Sequence, residues 1–182
     1  MPVAVVTDST AHLPEGFAAR HGIRVVPLHV LIDGVSALDG IDVGPRALAG
    51  ALREHRVVTT SRPTPAEFAA VYRAALAEGA DAIVSVHLSG RLSGTGEAAE
   101  LAAREVAPDR IRVVDSRTTA MGLGFAALHA AGEAGNGADV AAVEAAAVAT
   151  AGRSATLFAV ETLEHLRRGG RIQVPTQPAD PV

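Results

Sequence analysis

Residues 81–96 read DAIVSVHLSGRLSGTG. The first half is apolar and partly β-branched, the composition of a buried strand. The second half sets Ser89, Ser93 and Thr95 among repeated glycines, then passes into EAAELAARE at 97–105, which has the composition of a helix. A strand that leaves through a hydroxyl-rich loop into a helix is half of a strand–helix–strand unit. The run IRVVD at 111–115 supplies the next strand. This stretch therefore predicts an α/β fold with a parallel sheet.

The same alternation extends outward in both directions. Residues 3–7 (VAVVT) read as a buried strand and 15–21 as a short helix. Residues 23–32 (IRVVPLHVLI) read as extended, interrupted at Pro27. A short helix enters through Pro45 over 46–54, where Leu48 and Leu52 lie four apart. Phe68, Tyr72, Ala75 and Leu76 share one face of a helix over 65–78. Strands at 81–87 and 111–115 flank a helix over 94–106. Helices follow at 122–133 and 140–151, then a strand at 155–160. A helix over 161–168 is stopped by Gly169-Gly170. The whole predicts a mostly parallel sheet with helices on both faces, in one α/β lobe over 1–172 that includes the start of a second lobe. The Pro-rich tail 173–182 is expected to be unstructured.

Composition excludes several function classes. The 182 residues are 48% hydrophobic with a net charge of −4, and alanine supplies much of the apolar count. Aromatic residues make up only 3%, too few for base-stacking platforms. No stretch is strongly basic, so phosphate-driven nucleic-acid binding has no support. There is no cysteine, hence no disulfide, thiolate nucleophile or Cys-based metal site. All 16 basic residues are arginine, which excludes a Schiff-base or P-loop lysine. The seven histidines are scattered and none has metal-ligand spacing, so no metal and no cofactor are expected. No run is long enough to span a membrane, and MPVAVVTDST lacks the features of a signal peptide. A cytoplasmic protein is expected.

In a parallel sheet the ligand site lies outside the carboxyl ends of the strands. Four segments qualify: Thr7-Asp8-Ser9-Thr10, Thr59-Thr60-Ser61 with Thr64, Ser89 to Thr95, and Asp115-Ser116-Arg117-Thr118-Thr119. Singly, each hydroxyl or aspartate is an ordinary helix cap or turn residue. Together on one edge they form a site for an anion such as a carboxylate or phosphate, held by hydroxyls and helix N-terminal amides. The glycine spacing at 90, 94 and 96 fits neither a Walker loop nor the dinucleotide fingerprint. Ser93 has no G-x-S-x-G elbow, which favours a ligand-binding role over a nucleophilic one.

An ordered set of motifs resembles the DegV family of bacterial fatty-acid-binding proteins. They are Val5-Val6-Thr7-Asp8-Ser9, Thr60-Ser61-Arg62-Pro63, Leu92-Ser93-Gly94-Thr95, and Val114-Asp115-Ser116 leading into Met121-Gly122-x-Gly124. Val26-Pro27-Leu28, Asp39-Gly40 and Leu163-x-x-Leu166-Arg167-Arg168-Gly169-Gly170-Arg171-Ile172 fit in the expected order. The resemblance implies a carrier rather than a free-standing enzyme, holding one long-chain fatty acid between two lobes. It implies a partner, the fatty acid kinase catalytic subunit, which makes acyl phosphate for phospholipid synthesis. The family's carboxylate-binding hydroxyls carry over to Thr60 and Ser93. The other candidate ligand-site residues belong to the same motifs: Asp8, Ser9, Ser61, Arg62, Gly94, Thr95, Asp115, Ser116 and Met121.

The chain departs from the family in three places. Arg62 stands where Gln is usual, and Gly90 where a second Ser is common. The C-terminal lobe, with a His that helps bind the carboxylate, has no counterpart after Ile172, where QVPTQPADPV follows. Candidates for an acyl-tail wall are Met121, Leu123, Phe125 and Leu128, with Phe158 and Leu163, although such residues at helical spacing are ordinarily core. Two alternatives stand beside the carrier: a small-molecule phosphotransferase or hydrolase using Asp8 and Ser93, and an inactive fragment.

Overall fold

The computed structural model describes residues 2–157, 159, 166, 167 and 169–171. The predicted helix 161–168 lies mostly outside them, and so do Phe158, Leu163 and the tail 173–182. Residues 155–157 are described and are irregular, not the start of a strand. In chain order the elements are β1 (Val3–Asp8), a 3-10 turn (Ser9–Ala11), α1 (Phe17–Arg20), β2 (Ile23–Val26), β3 (His29–Ile32), β4 (Val35–Leu38), α2 (Pro45–Arg53), β5 (Val58–Ser61), α3 (Pro65–Ala77), β6 (Ala82–His87), α4 (Thr95–Val106), β7 (Ile111–Asp115), α5 (Ala120–Gly135) and α6 (Val140–Arg153).

The main sheet has the order β2-β1-β6-β7 and is parallel throughout. Strand periodicity sends neighbouring residues to opposite faces. Val5, Val84, Val86 and Val114 pack with Leu123, Ala126, Ala127 and Val143 of α5 and α6. Val6, Ile83 and Ile111 pack on the other face with Phe68 and Tyr72 of α3 and Ala98, Ala99 and Ala102 of α4. Every residue of β6 is buried, as expected for a central strand covered on both faces. The expected fold class is present.

A second, antiparallel sheet was not anticipated. Its order is β4-β3-β5. The extended run 23–32 is two strands in different sheets, because Pro27 cannot donate to a ladder and marks the exit from the first. β3 and β4 form a hairpin closed by Asp33-Gly34, both at positive φ, the conformation of a two-residue type I′ turn. β5 then returns beside β3, pairing Val30 with Thr60 and His29 with Ser61. Thr59 to Ser61 are thus strand residues of this second sheet, not a loop at the edge of the first.

The strand order has a functional consequence. From β1 the chain moves to β2 on one side, and from β6 to β7 on the other. The topological switch point lies between β1 and β6. Ligand sites in open α/β sheets form there, beyond the carboxyl ends.

Candidate functional site

At the end of β1, Asp8 is fully buried. Its Oδ1 accepts hydrogen bonds from Thr10 N (3.1 Å) and Thr10 Oγ1 (2.5 Å). Its Oδ2 accepts from Leu88 N and His87 Nδ1, each at 3.0 Å. Burial opposes ionisation of this carboxyl, but the bonds from His87, Thr10 and Leu88 outweigh it and hold the group below the usual carboxylate value. Ser9 Oγ accepts from Leu28 N at 3.0 Å, tying the first loop to the link between the two sheets.

At the end of β6, the loop folds over buried Ser89. Its carbonyl accepts from Leu92 N (2.9 Å) and Ser93 N (3.2 Å), while its own N–H donates to Thr118 O at 2.9 Å. This turn delivers Ser93 to the start of α4, where its hydroxyl pairs with that of buried Thr95 at 2.9 Å. Ser93 itself is half-buried.

Between these loops and the second sheet lies a cavity of about 320 Å³. Thr10, Thr60, Ser61 and Ser93 supply hydroxyls to its wall, and Leu28, Val30, Leu48, Leu88 and Leu92 supply aliphatic surface. His12, Asp39 and Arg171 complete the lining. Arg171 Nε donates to Leu92 O at 3.3 Å, so its guanidinium lies against the Ser93 loop. A neighbouring cavity of about 650 Å³ shares His12, Asp39 and Leu48 with the first and continues past Leu13, Val25 and Ile41. A small cavity with a cluster of hydroxyls in a mostly apolar wall therefore adjoins a larger, likewise mostly apolar one.

The structure brings together Thr60, Ser61 and Ser93, with Thr95 one hydrogen bond behind them. Asp8 and Ser9 line the larger cavity. Arg62 does not line the 320 Å³ cavity: its Nη1 donates to Glu97 Oε2 at 3.0 Å, and it lines an adjoining cleft of about 370 Å³ with Arg91 and Gly94, on the other side of Leu92, Ser93 and Arg171. Asp115 builds its own turn, accepting from Arg117 N (2.8 Å) and Gly90 N (3.3 Å). Ser116 is buried, its N–H donating to His87 O at 3.0 Å. Neither lines the 320 Å³ cavity, and neither does Met121. Of the tail-wall candidates, Leu123 is core, Leu128 packs on the core and Phe125 is exposed.

The apolar lining comes instead from Leu28, Val30, Leu48 and Leu88. Leu28 sits in the Val-Pro-Leu motif, and Thr10 follows Asp8-Ser9 directly. The available signal was their adjacency to motif residues.

Among the described residues, Ser93 Oγ pairs with Thr95 Oγ1 and with neither a histidine nor a carboxylate. Ser85, His87 and Asp8 do follow one another in a serine–histidine–aspartate order, at 2.7 and 3.0 Å. Ser85 is fully buried and accepts from Tyr72 OH at 2.8 Å, so no substrate reaches it. Among the described residues no group of three metal-ligating side chains occurs, and no helix is long and apolar enough to cross a membrane.

A family model described as uncharacterised protein, DegV family, matches residues 2–176. A DegV domain-containing protein of Streptomyces coelicolor is 54% identical over 172 residues, which cover 93% of this chain and 60% of that protein. A DegV family protein of Thermus thermophilus, described for its fatty acid binding, superposes with a TM-score of 0.86 at 42% identity, covering 93% of this chain and 60% of that one. DegV of Bacillus subtilis, described as a fatty acid binding protein, superposes with a TM-score of 0.82 at 31% identity, covering 93% and 61%. The chain thus spans about 60% of the length of the curated relatives it matches.

Proposed function

The chain belongs to the DegV family, and from that premise we propose that it binds a long-chain fatty acid by the carboxylate. The observation that carries this reading is the 320 Å³ cavity, where Thr60, Ser61 and Ser93 stand opposite aliphatic side chains at the switch point. The fatty-acid binding described for the Thermus and Bacillus proteins supports it. Thr60 and Ser93 donate to the carboxylate. The acyl tail runs along Leu28 and Leu48 into the 650 Å³ cavity that shares the same wall.

Magnitudes divide the labour. Burying ~15 methylenes contributes on the order of 12 kcal/mol gross. Each hydroxyl hydrogen bond nets about 0.5–1.5 kcal/mol, and more to a charged acceptor. Association costs several kcal/mol. The tail therefore sets affinity and the hydroxyls set orientation. They also keep the buried carboxylate hydrogen-bonded, which it requires to stay ionised.

In this reading the chain is a cytoplasmic carrier. A separate ATP-dependent kinase subunit phosphorylates the bound carboxyl, and the acyl phosphate enters phospholipid synthesis. Two observations support a carrier over an enzyme using Asp8 and Ser93. Asp8 is fully buried with both carboxylate oxygens hydrogen-bonded, and among the described residues Ser93 pairs with Thr95 rather than with a base.

Native mass spectrometry of the purified chain tests the proposal. The expected spectrum carries a non-covalent adduct with a fatty-acid mass that disappears on denaturation. A bare chain that takes up no hexadecanoate when supplied overturns it.

A further inference from the structure

The buried hydrogen-bond chain behind the cavity has no part in holding a ligand, yet it ends on residues that form the cavity wall. Its donors run in one direction. Tyr72 OH donates to Ser85 Oγ at 2.8 Å. Ser85 Oγ then has its own proton for His87 Nε2 at 2.7 Å. That assigns the remaining ring proton to Nδ1, which donates to Asp8 Oδ2 at 3.0 Å. Every proton in the chain has an acceptor, and the last acceptor is Asp8. Phe68 holds the His87 ring edge-on, with centroids 5.0 Å apart, which fixes its plane.

Asp8 distributes this anchoring to both sides of the switch point. Its Oδ1 holds the backbone and hydroxyl of Thr10, after β1. Its Oδ2 holds the backbone of Leu88, after β6. Thr10 and Leu88 both line the 320 Å³ cavity. One carboxylate therefore staples together the two strand ends between which the head group is proposed to lie. Because the Thr10 hydroxyl gives its single proton to Asp8, the hydroxyl donors left for an anionic head group are Thr60, Ser61 and Ser93.

We infer that Asp8, oriented through His87, is the positioning residue of the head-group cavity: it sets Thr10 and Leu88 against Ser93 without itself lining that cavity. The inference rests on the fatty-acid reading only for what occupies the cavity. The placement of Thr10 and Leu88 stands on the hydrogen bonds alone.

Asp8→Asn is the informative variant. The amide keeps the shape, but whichever way it turns, its NH₂ faces a pair of donors: Thr10 N and Oγ1, or His87 Nδ1 and Leu88 N. The histidine can change tautomer and the Thr10 hydroxyl can turn its proton away, but the amides of Thr10 and Leu88 can only donate, so one of them loses its acceptor. Val143→Ala, at a buried position in the first turn of α6 that lines neither cavity, serves as a destabilised control.

Two quantities are read for each variant: amide hydrogen exchange at Thr10 and Leu88 without lipid, and the dissociation constant for hexadecanoate. In Asp8→Asn, exchange at both amides is expected to accelerate and binding to weaken by roughly tenfold or more. Val143→Ala is expected to lower the melting temperature while leaving both readings near wild type. Should Asp8→Asn not fold, Thr10→Val removes one bond to Asp8 within an isosteric side chain. It is expected to speed exchange at Thr10 and weaken binding in the same direction. Unchanged exchange and binding in folded Asp8→Asn overturn the inference, and so does weakening that merely tracks the melting temperature in Val143→Ala. A wild-type chain that ignores hexadecanoate overturns the fatty-acid reading instead. The exchange measurement then still decides whether Asp8 places the two strand ends.

Discussion

Thr60 lies in β5 of the second sheet and Ser93 in the loop after β6 of the first, 33 positions apart in sequence, and both line one small cavity. Each side chain has a single proton to offer, so their value to an anion lies in number and direction. Alanine at either position removes one donor and leaves a buried carboxylate short of a partner. Thr60→Ala and Ser93→Ala are each expected to cost about 1–2 kcal/mol of hexadecanoate binding, roughly 5- to 30-fold in dissociation constant. Isothermal titration with unchanged melting temperatures checks it, and full affinity in both variants removes these residues from the site. Ser93 stood out in the sequence only through its ordered motif Leu92-Ser93-Gly94-Thr95, because singly a hydroxyl at a helix start is an ordinary cap. Thr10 did not, since a threonine two residues after an aspartate reads as an ordinary turn. Arg62 was drawn into the site by its motif, but Glu97 in the first turn of α4 captures its guanidinium.

At the scale of elements, α3 is the strut between the two sheets. Its first turn is closed by a capping box, with Thr64 Oγ1 accepting from Glu67 N and the Glu67 carboxylate accepting from Thr64 N. The same carboxylate accepts a hydrogen bond from His29 Nε2, at 3.0 Å to Oε1, and so reaches β3, which pairs with the strand carrying Thr60. Two turns on, Tyr72 starts the chain that ends at Asp8. On the other face, α5 closes against the 3-10 turn through Gly124. A Cβ there would lie 2.8 Å from the Ala11 carbonyl oxygen, inside contact distance of rigid backbone. Gly124→Ala is expected to destabilise the protein by about 1–2 kcal/mol net, because overpacking outweighs the gain in helix propensity. Gly132→Ala, where a Cβ meets nothing within 4 Å, is expected to stabilise by about 0.5–1 kcal/mol. Chemical denaturation of the pair decides whether Gly124 is there for contact, and a stabilised Gly124→Ala refutes that.

At the scale of the whole molecule, the cavity has walls from both sheets, so a ligand bound there links them. Binding to the folded state alone stabilises it by mass action. Hexadecanoate at a hundred times its dissociation constant is expected to add about 2.7 kcal/mol, which for a chain of this size raises the melting temperature by about 5–10 °C. Differential scanning calorimetry with and without the acid measures it. No shift at saturating acid contradicts a lipid site on this chain. The alanine-rich helices bear on the same point: Ala98, Ala99 and Ala102 of α4 and Ala126, Ala127 and Ala130 of α5 are fully buried. Small side chains let both helices lie close to the sheet, and the larger apolar groups at the cavity come from the second sheet, its links and the loop after β6.

The α/β class, the parallel sheet and the hydroxyl loops at its strand ends followed from the sequence alone. Each depends on local periodicity or on residues within a few positions of one another. The second sheet did not follow. β5 is short and mostly exposed, and its pairing with β3 is a long-range choice that no local pattern encodes. Which hydroxyls face a common cavity, which arginine lines it, and that a buried aspartate holds the two strand ends together were decided only by tertiary structure. Hydrogen bonds between residues as far apart as Asp8 and Leu88 exist only once the strands have taken their order in the sheet.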